Sequence, residues 1–213
     1  MESRMIQELI KGCLETLYMV GVTTLVAYLI GMPLGVILCV TDKNGICPLR
    51  PVNLLLGVII NILRSVPFLI LLVAVMPFTR AIVGKTYGSG ATIVPLVIAA
   101  APFVARMVET SFKEVDAGVV EAAQSMGATT WNIIWKVLLP EAKPSLTLGS
   151  TIAITTILGY SAMAGFVGGG GLGAIAVNYG YNRYQDEIML VTVVLMVILV
   201  QVIQEVGMRI ARA

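Results

Sequence analysis

The sequence contains no histidine and only three cysteines, and charged residues make up 12% of its 213 residues. Histidine is the commonest general base near neutral pH and a common zinc ligand, so its absence argues against a hydrolase or a metal enzyme. Cys13, Cys39 and Cys47 do not have the spacing of metal ligands, and we expect packed or interfacial thiols and no metal site. The chain also offers no credible nucleophile and base for an intramembrane enzyme.

Acidic residues are missing from the interior of the long apolar runs. They lie at the borders, where the sequence has Glu15, Glu109, Asp186, Glu187 and Glu205. A proton-driven carrier would need a titratable carboxylate buried within the membrane. The lack of one favours a transporter whose energy is supplied from outside the chain. A self-contained secondary carrier or channel is the competing hypothesis, but no internal repeat is visible to support it.

Apolar residues are what the chain has in abundance. They make up 58% of the sequence, and the mean hydropathy of +0.94 lies far outside the range of soluble domains. A hydrocarbon layer of roughly 30 Å is crossed by about 20 helical residues, and continuous apolar runs favour helices over a barrel. We predict an all-α membrane protein with one domain over residues 1–213. Its five transmembrane helices are expected at about 17–40, 52–79, 88–108, 145–167 and 188–206.

The orientation is predicted from lysine and arginine, which are more numerous in the loops on the cytoplasmic side. Five spans put the termini on opposite sides of the membrane. If the loop 106–144 is cytoplasmic, the inside carries eight basic residues and the outside five. The inner set is Lys43, Arg50, Arg106, Lys113, Lys136, Lys143, Arg209 and Arg212, and the outer set is Arg4, Lys11, Arg80, Lys85 and Arg183. The difference predicts an outside N-terminus and a cytoplasmic C-terminus.

One segment, residues 116–140, interrupts the apolar chain between the third and fourth predicted spans. Its apolar residues recur in steps of three and four, which is typical of a helix with one face to bury. Asp116 is a suitable cap for a first helix, and Gly127 suits the left-handed residue that ends it. Thr129 or Thr130 can cap a second helix, which we expect Pro140 to end. We therefore predict a hairpin of two short helices.

This hairpin could lie on the membrane surface or dock on a partner protein. A surface helix usually carries a row of lysine or arginine on its polar face. Here that face is dominated by Glu121, Gln124, Ser125, Thr129, Thr130 and Asn132. Its alanines and compact glycine turn allow another surface to come close, and its apolar residues can seat in a groove. The composition favours a protein partner.

The hairpin carries a recognisable pattern: Glu121-Ala122-Ala123, then Gly127, then Leu139-Pro140. This pattern resembles the cytoplasmic coupling signature of membrane subunits of bacterial ATP-binding-cassette (ABC) importers. Four longer stretches, "NILRSVPFLILLVAVMPFTRAIVG", "IVPLVIAAAPFVARMVE", "GATTWNIIWKVLLPEAKPSL" and "GYSAMAGFVGGGGLG", look like the methionine importer permease family. The similarity extends over nearly the whole chain.

The resemblance implies a type I ABC importer permease fold, with a cytoplasmic coupling hairpin between the third and fourth transmembrane helices. It implies import of D- or L-methionine, or of another small amino acid, across the bacterial cytoplasmic membrane. The chain has no nucleotide-binding signature, so two copies of a separate ABC ATPase would use ATP and Mg²⁺. Further expected partners are a second copy of this chain, membrane lipid and a substrate-binding lipoprotein on the outer face. We expect no cofactor on this chain and no nucleic-acid partner.

The same resemblance assigns roles to particular residues. The residues expected to couple to the ATPase are Glu121, Ala122, Ala123, Ser125, Met126, Gly127, Ala128, Leu139 and Pro140. We expect Tyr160, Ser161 and Met163 to lie along the translocation path, with Met163 as an apolar gate, although helix packing alone would also explain them.

Arg64 is the charged residue inside the second predicted span. Exposure of its guanidinium to lipid would cost at least about 3 kcal/mol, so we expect it to face protein or water. Pro67 frees the carbonyl of Leu63, which Arg64 could satisfy. A bond that only packs helices together is the competing interpretation of this residue.

The glycine run at 165–173, "GFVGGGGLG", lacks the Gly-Lys-Ser/Thr that would cradle phosphates, so it is not a P-loop. We expect it to end the fourth helix and to form a flexible outer loop where a binding protein docks. A plain turn without a partner is the alternative.

Overall fold

The computed structural model describes residues 3–212, and over that range the chain is built from helices joined by short turns. The helices are α1 Ser3–Val40, α2 Arg50–Ser65, α3 Phe68–Ala74, α4 Met76–Val83, α5 Ser89–Lys113, α6 Ala117–Ser125, α7 Thr130–Ile133, α8 Leu139–Glu141, α9 Lys143–Ala164, α10 Gly171–Ile175 and α11 Asp186–Arg212. Two π-helical turns, Ile134–Leu138 and Ala176–Tyr181, and a 3₁₀ turn, Gly165–Val167, complete the set. The predicted all-α class is confirmed. Residues 1, 2 and 213, which the single-domain prediction also covers, lie outside the described residues.

Four helical stretches are long and apolar enough to cross a membrane, and they agree with four of the five predicted spans to within a few residues at most boundaries. The main differences are that the first stretch begins at Arg4, well before the predicted start at 17, and that the third continues to Tyr181, well beyond the predicted end at 167. The four stretches are Arg4–Val40, Ser89–Lys113, Lys143–Tyr181 and Asp186–Ala211.

The predicted second span, 52–79, is not one continuous helix. α2 and α3 meet at an angle of 102°, and they make a fifth span only if the bent pair is counted as one. Pro67 explains the break, because proline lacks an amide hydrogen and forces the residue before it out of the helical region. Val66 is accordingly extended, with φ −80° and ψ 124°. The predicted span over 52–79 is thus a bent pair of helices with its break at Pro67.

The core of the molecule is the contact between α1 and α5. Two glycines on α1, Gly31 and Gly35, let the helix backbones approach closely. A Cβ at Gly31 would lie 2.7 Å from the carbonyl oxygen of Ala101 and 2.8 Å from Val104 Cβ on α5. Val104 and Val108 are fully buried in this contact.

The outer surface is apolar, as expected of a chain surrounded by lipid tails. Leu54 and Ile62 on α2 and Leu190, Val197 and Val202 on α11 are all exposed. In this single chain, therefore, α11 uses little of its apolar surface for internal packing. That surface remains available to lipid or to another protein chain.

The helices bring distant loops together at two opposite ends. At the first, called here the hairpin end, Asp42 in the loop after α1 forms an ion pair with Lys113 at the end of α5. At the second, called here the glycine end, the amide of Gly88 donates to the carbonyl of Gly168 at 2.8 Å. The hairpin predicted from the sequence begins at the first end, and the glycine run lies at the second.

Candidate coupling site

The hairpin begins where the sequence predicted it. Asp116 Oδ1 accepts a hydrogen bond of 2.7 Å from the amide of Gly118, which caps α6. Of the two candidates for the second cap, Thr129 is the one used, since its hydroxyl oxygen accepts from the amide of Asn132 at 3.3 Å. These caps satisfy amides that have no partner inside a helix.

Gly127 makes the turn between the two helices. Its φ of +79° lies in the left-handed region, which is favourable for glycine. The amide of Gly127 donates to Gln124 at 2.9 Å and that of Ala128 to Ala123 at 3.1 Å, the paired bonds of a Schellman motif. No heavy atom lies within 4 Å of where a Cβ would be. The turn therefore needs glycine for its backbone angle, while its surroundings are open.

The prediction that Pro140 ends the second helix was wrong, because the chain remains helical through Glu141 and enters α9 after Ala142. A π-helical turn precedes the proline, and the amide of Leu139 bonds to Ile134, five residues back. The wider turn shifts the hydrogen-bond register just before a ring that would clash in a regular helix. The second arm of the hairpin thus connects almost directly to a transmembrane helix.

The predicted coupling residues divide into two groups. Glu121, Ala122, Ser125, Met126 and Gly127 are exposed at the tip, and Met126 is 82% exposed. Methionine is flexible and polarisable, and it adapts readily to an apolar groove. An exposed apolar side chain beside small residues is suited to docking on a partner.

The remaining predicted residues serve the hairpin itself or lie away from the tip. Ala123 is 5% exposed and packs in the same core cluster as Ile133, and Ala128 is half-buried against that cluster. Leu139 lines an apolar groove of about 980 Å³ along α1, and Pro140 is exposed. The structure therefore does not bring Leu139 and Pro140 to the tip.

A smaller cavity of about 500 Å³ separates α6 from the loop after α1. Glu121 and Gln124 line it from one side, and Asp42 and Lys113 contribute to its wall. The hydrogen bond from Lys113 holds the pKa of Asp42 below its ordinary value, against the opposing effect of partial burial. The base of the hairpin is thus a charged region beside a cavity.

Glu109 corrects the expectation that no carboxylate is buried in the apolar part of the chain. It borders the third span in sequence, but its side chain is buried, with Arg106 at 2.6 Å and Lys113 at 2.8 Å. Its spacing from Arg106 and Lys113 is three and four residues, which places all three on one helix face. That spacing was the available sequence signal. Paired with two cations, this carboxylate does not resemble a free proton carrier.

The three residues predicted to line a path do not share one surface. The ring of Tyr160 stacks on Phe68 of α3, with centroids 4.5 Å apart and planes inclined by 8°. Ser161 is buried, and its hydroxyl donates to the carbonyl of Leu158 at 2.7 Å. Met163 is exposed. Only Met163 and part of Tyr160 are accessible in the single chain.

Arg64 lies in the last turn of α2, beside the break at Pro67, and its side chain is exposed. Within residues 3–212 it has no side-chain hydrogen bond or ion pair, so the expected bond to the carbonyl of Leu63 is not formed. The break in the span brings this charge to a helix end.

The glycine run is not the flexible loop that the sequence suggested. The amide of Gly171 donates to Glu15 and that of Leu172 to Thr16, both at 2.9 Å, and the hydroxyl of Thr92 donates to the carbonyl of Gly169 at 3.1 Å. The run is a turn pinned to α1 and α5. The composition predicted a turn there, but its hydrogen bonds to α1 and α5 are seen only in the folded chain.

Fold and site together define a multi-span helical membrane protein with an exposed, glycine-turned hairpin at one end. The chain belongs to the family of binding-protein-dependent transport system inner membrane components, whose model matches residues 31–212. This assignment confirms the importer-permease class inferred from the hairpin motif and places the chain in the inner membrane as a multi-pass protein.

Two individual relatives are similar to most of this chain. A Vibrio cholerae protein described as a probable D-methionine transport system permease protein MetI is 55% identical over 193 residues, or 91% of this chain and 86% of the relative. The D-methionine transport system permease protein MetI of Escherichia coli is 48% identical over 165 residues, 78% of this chain and 76% of that protein.

Solved structures agree with the fold. A chain of the MetNI methionine ABC transporter, solved in inward-facing conformations, has a TM-score of 0.98 and 48% identity and covers 100% of this chain and 98% of its own. A chain from an amino acid ABC transporter crystallised with histidines has a TM-score of 0.82 at 18% identity, covering 98% of this chain and 95% of its own, and this likeness concerns the fold alone.

Proposed function

We propose that this chain is the permease subunit of an ATP-driven importer that moves methionine across the bacterial cytoplasmic membrane. Relatives named as D-methionine permeases, at 55% and 48% identity, support this substrate. The exposed tip around Met126 and Gly127 is the structural observation that supports coupling to a separate ATPase. Both D- and L-methionine are candidate substrates, and another small amino acid is the alternative.

The hairpin tip would dock in a cleft on an ABC ATPase, with two ATPase copies per transporter. Those subunits would bind and hydrolyse ATP with Mg²⁺, while this chain would bind no cofactor and act as the moving part. The caps at Asp116 and Thr129 and the Schellman turn at Gly127 make the tip rigid enough to transmit force. Its contacts would have to differ between ATPase states, since a partner shifts an equilibrium only through differential binding.

Two copies of this chain would form the translocation path at their interface. α11 exposes apolar side chains that a second copy could cover. The path would pass Met163 and the accessible edge of Tyr160, and the two openings would alternate. Ser161 and Ala123 would act through helix packing, Leu139 and Pro140 would shape the connection to α9, and Arg64 would lie exposed at the bend after α2.

We infer an N-terminus outside and a C-terminus in the cytoplasm. The loop after α1 and the hairpin share one end, and five of the eight basic residues assigned to the inside lie in them or at the adjoining helix ends: Lys43, Arg50, Lys113, Lys136 and Lys143. The glycine end would then face outward, where a substrate-binding lipoprotein would deliver methionine. Its rigid turn would give that protein a fixed docking surface.

Reconstitution in proteoliposomes tests the proposal. The chain is assembled with its cognate ATPase and binding protein, and uptake of labelled D- and L-methionine is measured with and without ATP. We expect uptake only with ATP, and competition by unlabelled methionine but not by other amino acids. Competition by a different amino acid would reassign the substrate. Uptake by the permease alone, driven by an ion gradient, would replace the importer with a secondary carrier.

A further inference from the structure

Glu109 is the one carboxylate that the structure buries within residues 3–212, with 6% of its surface exposed. Both of its oxygens are paired. Oε2 accepts from Arg106 Nη1 at 2.6 Å, and Oε1 accepts from Lys113 Nζ at 2.8 Å. A charge buried in this way is strongly disfavoured without its partners, so the three side chains should move as one unit.

The cation on one side of Glu109 reaches a second helix. Arg106 Nη2 donates to Asn61 Oδ1 at 2.9 Å and to the carbonyl of Gly57 at 3.3 Å, both on α2. A Cβ at residue 57 would lie 3.4 Å from that nitrogen, an ordinary van der Waals contact, so the guanidinium packs directly against this turn of α2. Arg106 therefore links α5 to α2 by directional bonds in addition to apolar contact.

The cation on the other side reaches the hairpin end. Lys113 is the last residue of α5 and also pairs with Asp42 in the loop after α1. Three residues further along the chain, Asp116 caps the first hairpin helix. The root of the hairpin is thus fixed by the same carboxylate that is linked to α2.

The far end of α2 leads to the bend. α2 ends at Ser65, turns through 102°, and continues as α3, where Phe68 stacks on Tyr160 of α9. A chain of contacts therefore runs from the hairpin through Lys113, Glu109 and Arg106 to α2. The contacts that cross between elements are the hydrogen bonds of Arg106 to α2 and the ion pair of Lys113 with Asp42, and Glu109 holds both cations in place from within α5. Directional bonds of this kind resist sliding more than contacts between apolar helix surfaces do.

We propose that Glu109 is a positioning residue that joins the coupling hairpin to the bent α2–α3 span, so that movement at the hairpin is transmitted to that span. This inference rests on the proposed function, since it concerns how ATP hydrolysis would be converted into transport. It predicts that weakening the link separates the two activities. ATP hydrolysis by the assembled complex continues, and the substrate moved per ATP falls.

The first test replaces Glu109 by glutamine, which keeps its shape and removes its charge. In proteoliposomes with the ATPase and binding protein, we expect near-normal co-purification and ATP hydrolysis, and a fall in methionine uptake per ATP of roughly tenfold. Glu205→Gln is the matched control, because Glu205 makes an exposed pair with Arg209 at 2.7 Å on α11. That variant should keep the wild-type ratio.

A second pair of variants avoids leaving an unpaired buried charge. Asn61→Leu removes the shorter of the two acceptors on α2, while Arg106 keeps Glu109 and the carbonyl of Gly57. It should lower uptake per ATP by a few-fold without loss of thermal stability. Asn61→Asp restores an acceptor for Arg106 and should restore the ratio. Rescue by aspartate is not expected if residue 61 only fills space.

The results separate two kinds of failure. If the wild-type complex takes up no methionine, the proposed function fails. If the wild type transports and Asn61→Leu keeps its uptake per ATP, the link is structural only and the inference is overturned. A parallel loss of ATP hydrolysis and uptake in both Glu109→Gln and Asn61→Leu would also overturn it.

Discussion

Two glycine turns at opposite ends of the described structure differ in their surroundings. At the hairpin end, Gly127 has open space around it and is needed only for its left-handed backbone. At the glycine end, Gly165, Gly171 and Gly173 are needed because neighbouring atoms fill the space where side chains would be. The first turn is exposed and free to contact another molecule, whereas the second is packed against other parts of the same chain.

The polar contacts show the same difference. The hairpin turn is closed by its own backbone and by caps within two or three residues. The glycine turn is closed by Glu15 and Thr16, each of which lies 156 residues in sequence from the amide that it binds. A locally closed element can move as a rigid piece, whereas a turn bonded to α1 and α5 moves only with them.

The largest expected effect on transport is at the open turn. Gly127→Trp should leave the protein folded in the membrane but abolish ATP-dependent uptake, because a bulky residue would block the docking surface. Gly127→Asn is the matched control, since asparagine tolerates a left-handed backbone and should retain substantial uptake. The measurement is uptake in proteoliposomes. Normal uptake by the tryptophan variant would contradict the assignment of the tip as the docking site.

The largest expected effect on folding is at the closed turn. A Cβ in Gly165→Ala would meet the backbone of Gly173 and lie 2.6 Å from the amide nitrogen of Ala174. Overpacking of this kind costs about 1–3 kcal/mol, so thermal unfolding in detergent should shift clearly downward. Gly159→Ala on the same stretch has nothing within 4 Å and should be neutral or slightly stabilising. Equal unfolding temperatures of the two variants would contradict the expectation that Gly165 is needed for close packing.

A smaller effect is expected from the polar side of the closed turn. Thr16→Val keeps the shape of the side chain but leaves the buried amide of Leu172 without its acceptor, at a cost of about 1–3 kcal/mol. Thr192→Val is the control, because that buried hydroxyl bonds only within its own helix, to Ile188 at 2.7 Å. Thermal unfolding of both variants measures the two losses of stability. A larger loss in Thr192→Val than in Thr16→Val would contradict this prediction.

The smallest expected effect is a change of surface charge at the hairpin. Glu121→Lys should weaken co-purification with the ATPase several-fold without altering stability, since Glu121 is exposed beside the tip. Glu114→Lys reverses an exposed charge outside α6 and serves as the control. Retention on an affinity column gives the answer. Unchanged binding by Glu121→Lys would make this glutamate a bystander.

Much of the hairpin was predictable because its signals are local. Asp116, Gly127 and Thr129 act on amides within a few residues, and turn chemistry of that range is legible in sequence. The end of the second hairpin helix could not be predicted in this way. The π-helical turn before Pro140 lets the chain continue into α9, and no local signal indicates that turn. The bend at Pro67 had a local cause, but a continuous apolar run hid it.

Other parts of the site depend on residues that are far apart in sequence. The pairing of Arg106 with Asn61, and of Lys113 with Asp42, requires α1, α2 and α5 to be assembled first. Nothing in the glycine run identifies Glu15 and Thr16 as its partners. Long-range polar contacts of this kind are selected by packing, and periodicity carries no information about them.

The sequence by itself determined that this chain enters a membrane as helices, that a capped hairpin interrupts it, and which transporter family it belongs to. The first two properties follow from hydropathy, helix periodicity and short-range turn chemistry, whereas the family follows from the resemblance of its sequence motifs to those of known permeases. The tertiary structure alone decided that Glu109 is buried between two cations, that Arg106 reaches Asn61 on α2, and that the glycine run is bonded to α1 and α5. Those features arise only when separate helices pack and desolvate the groups between them.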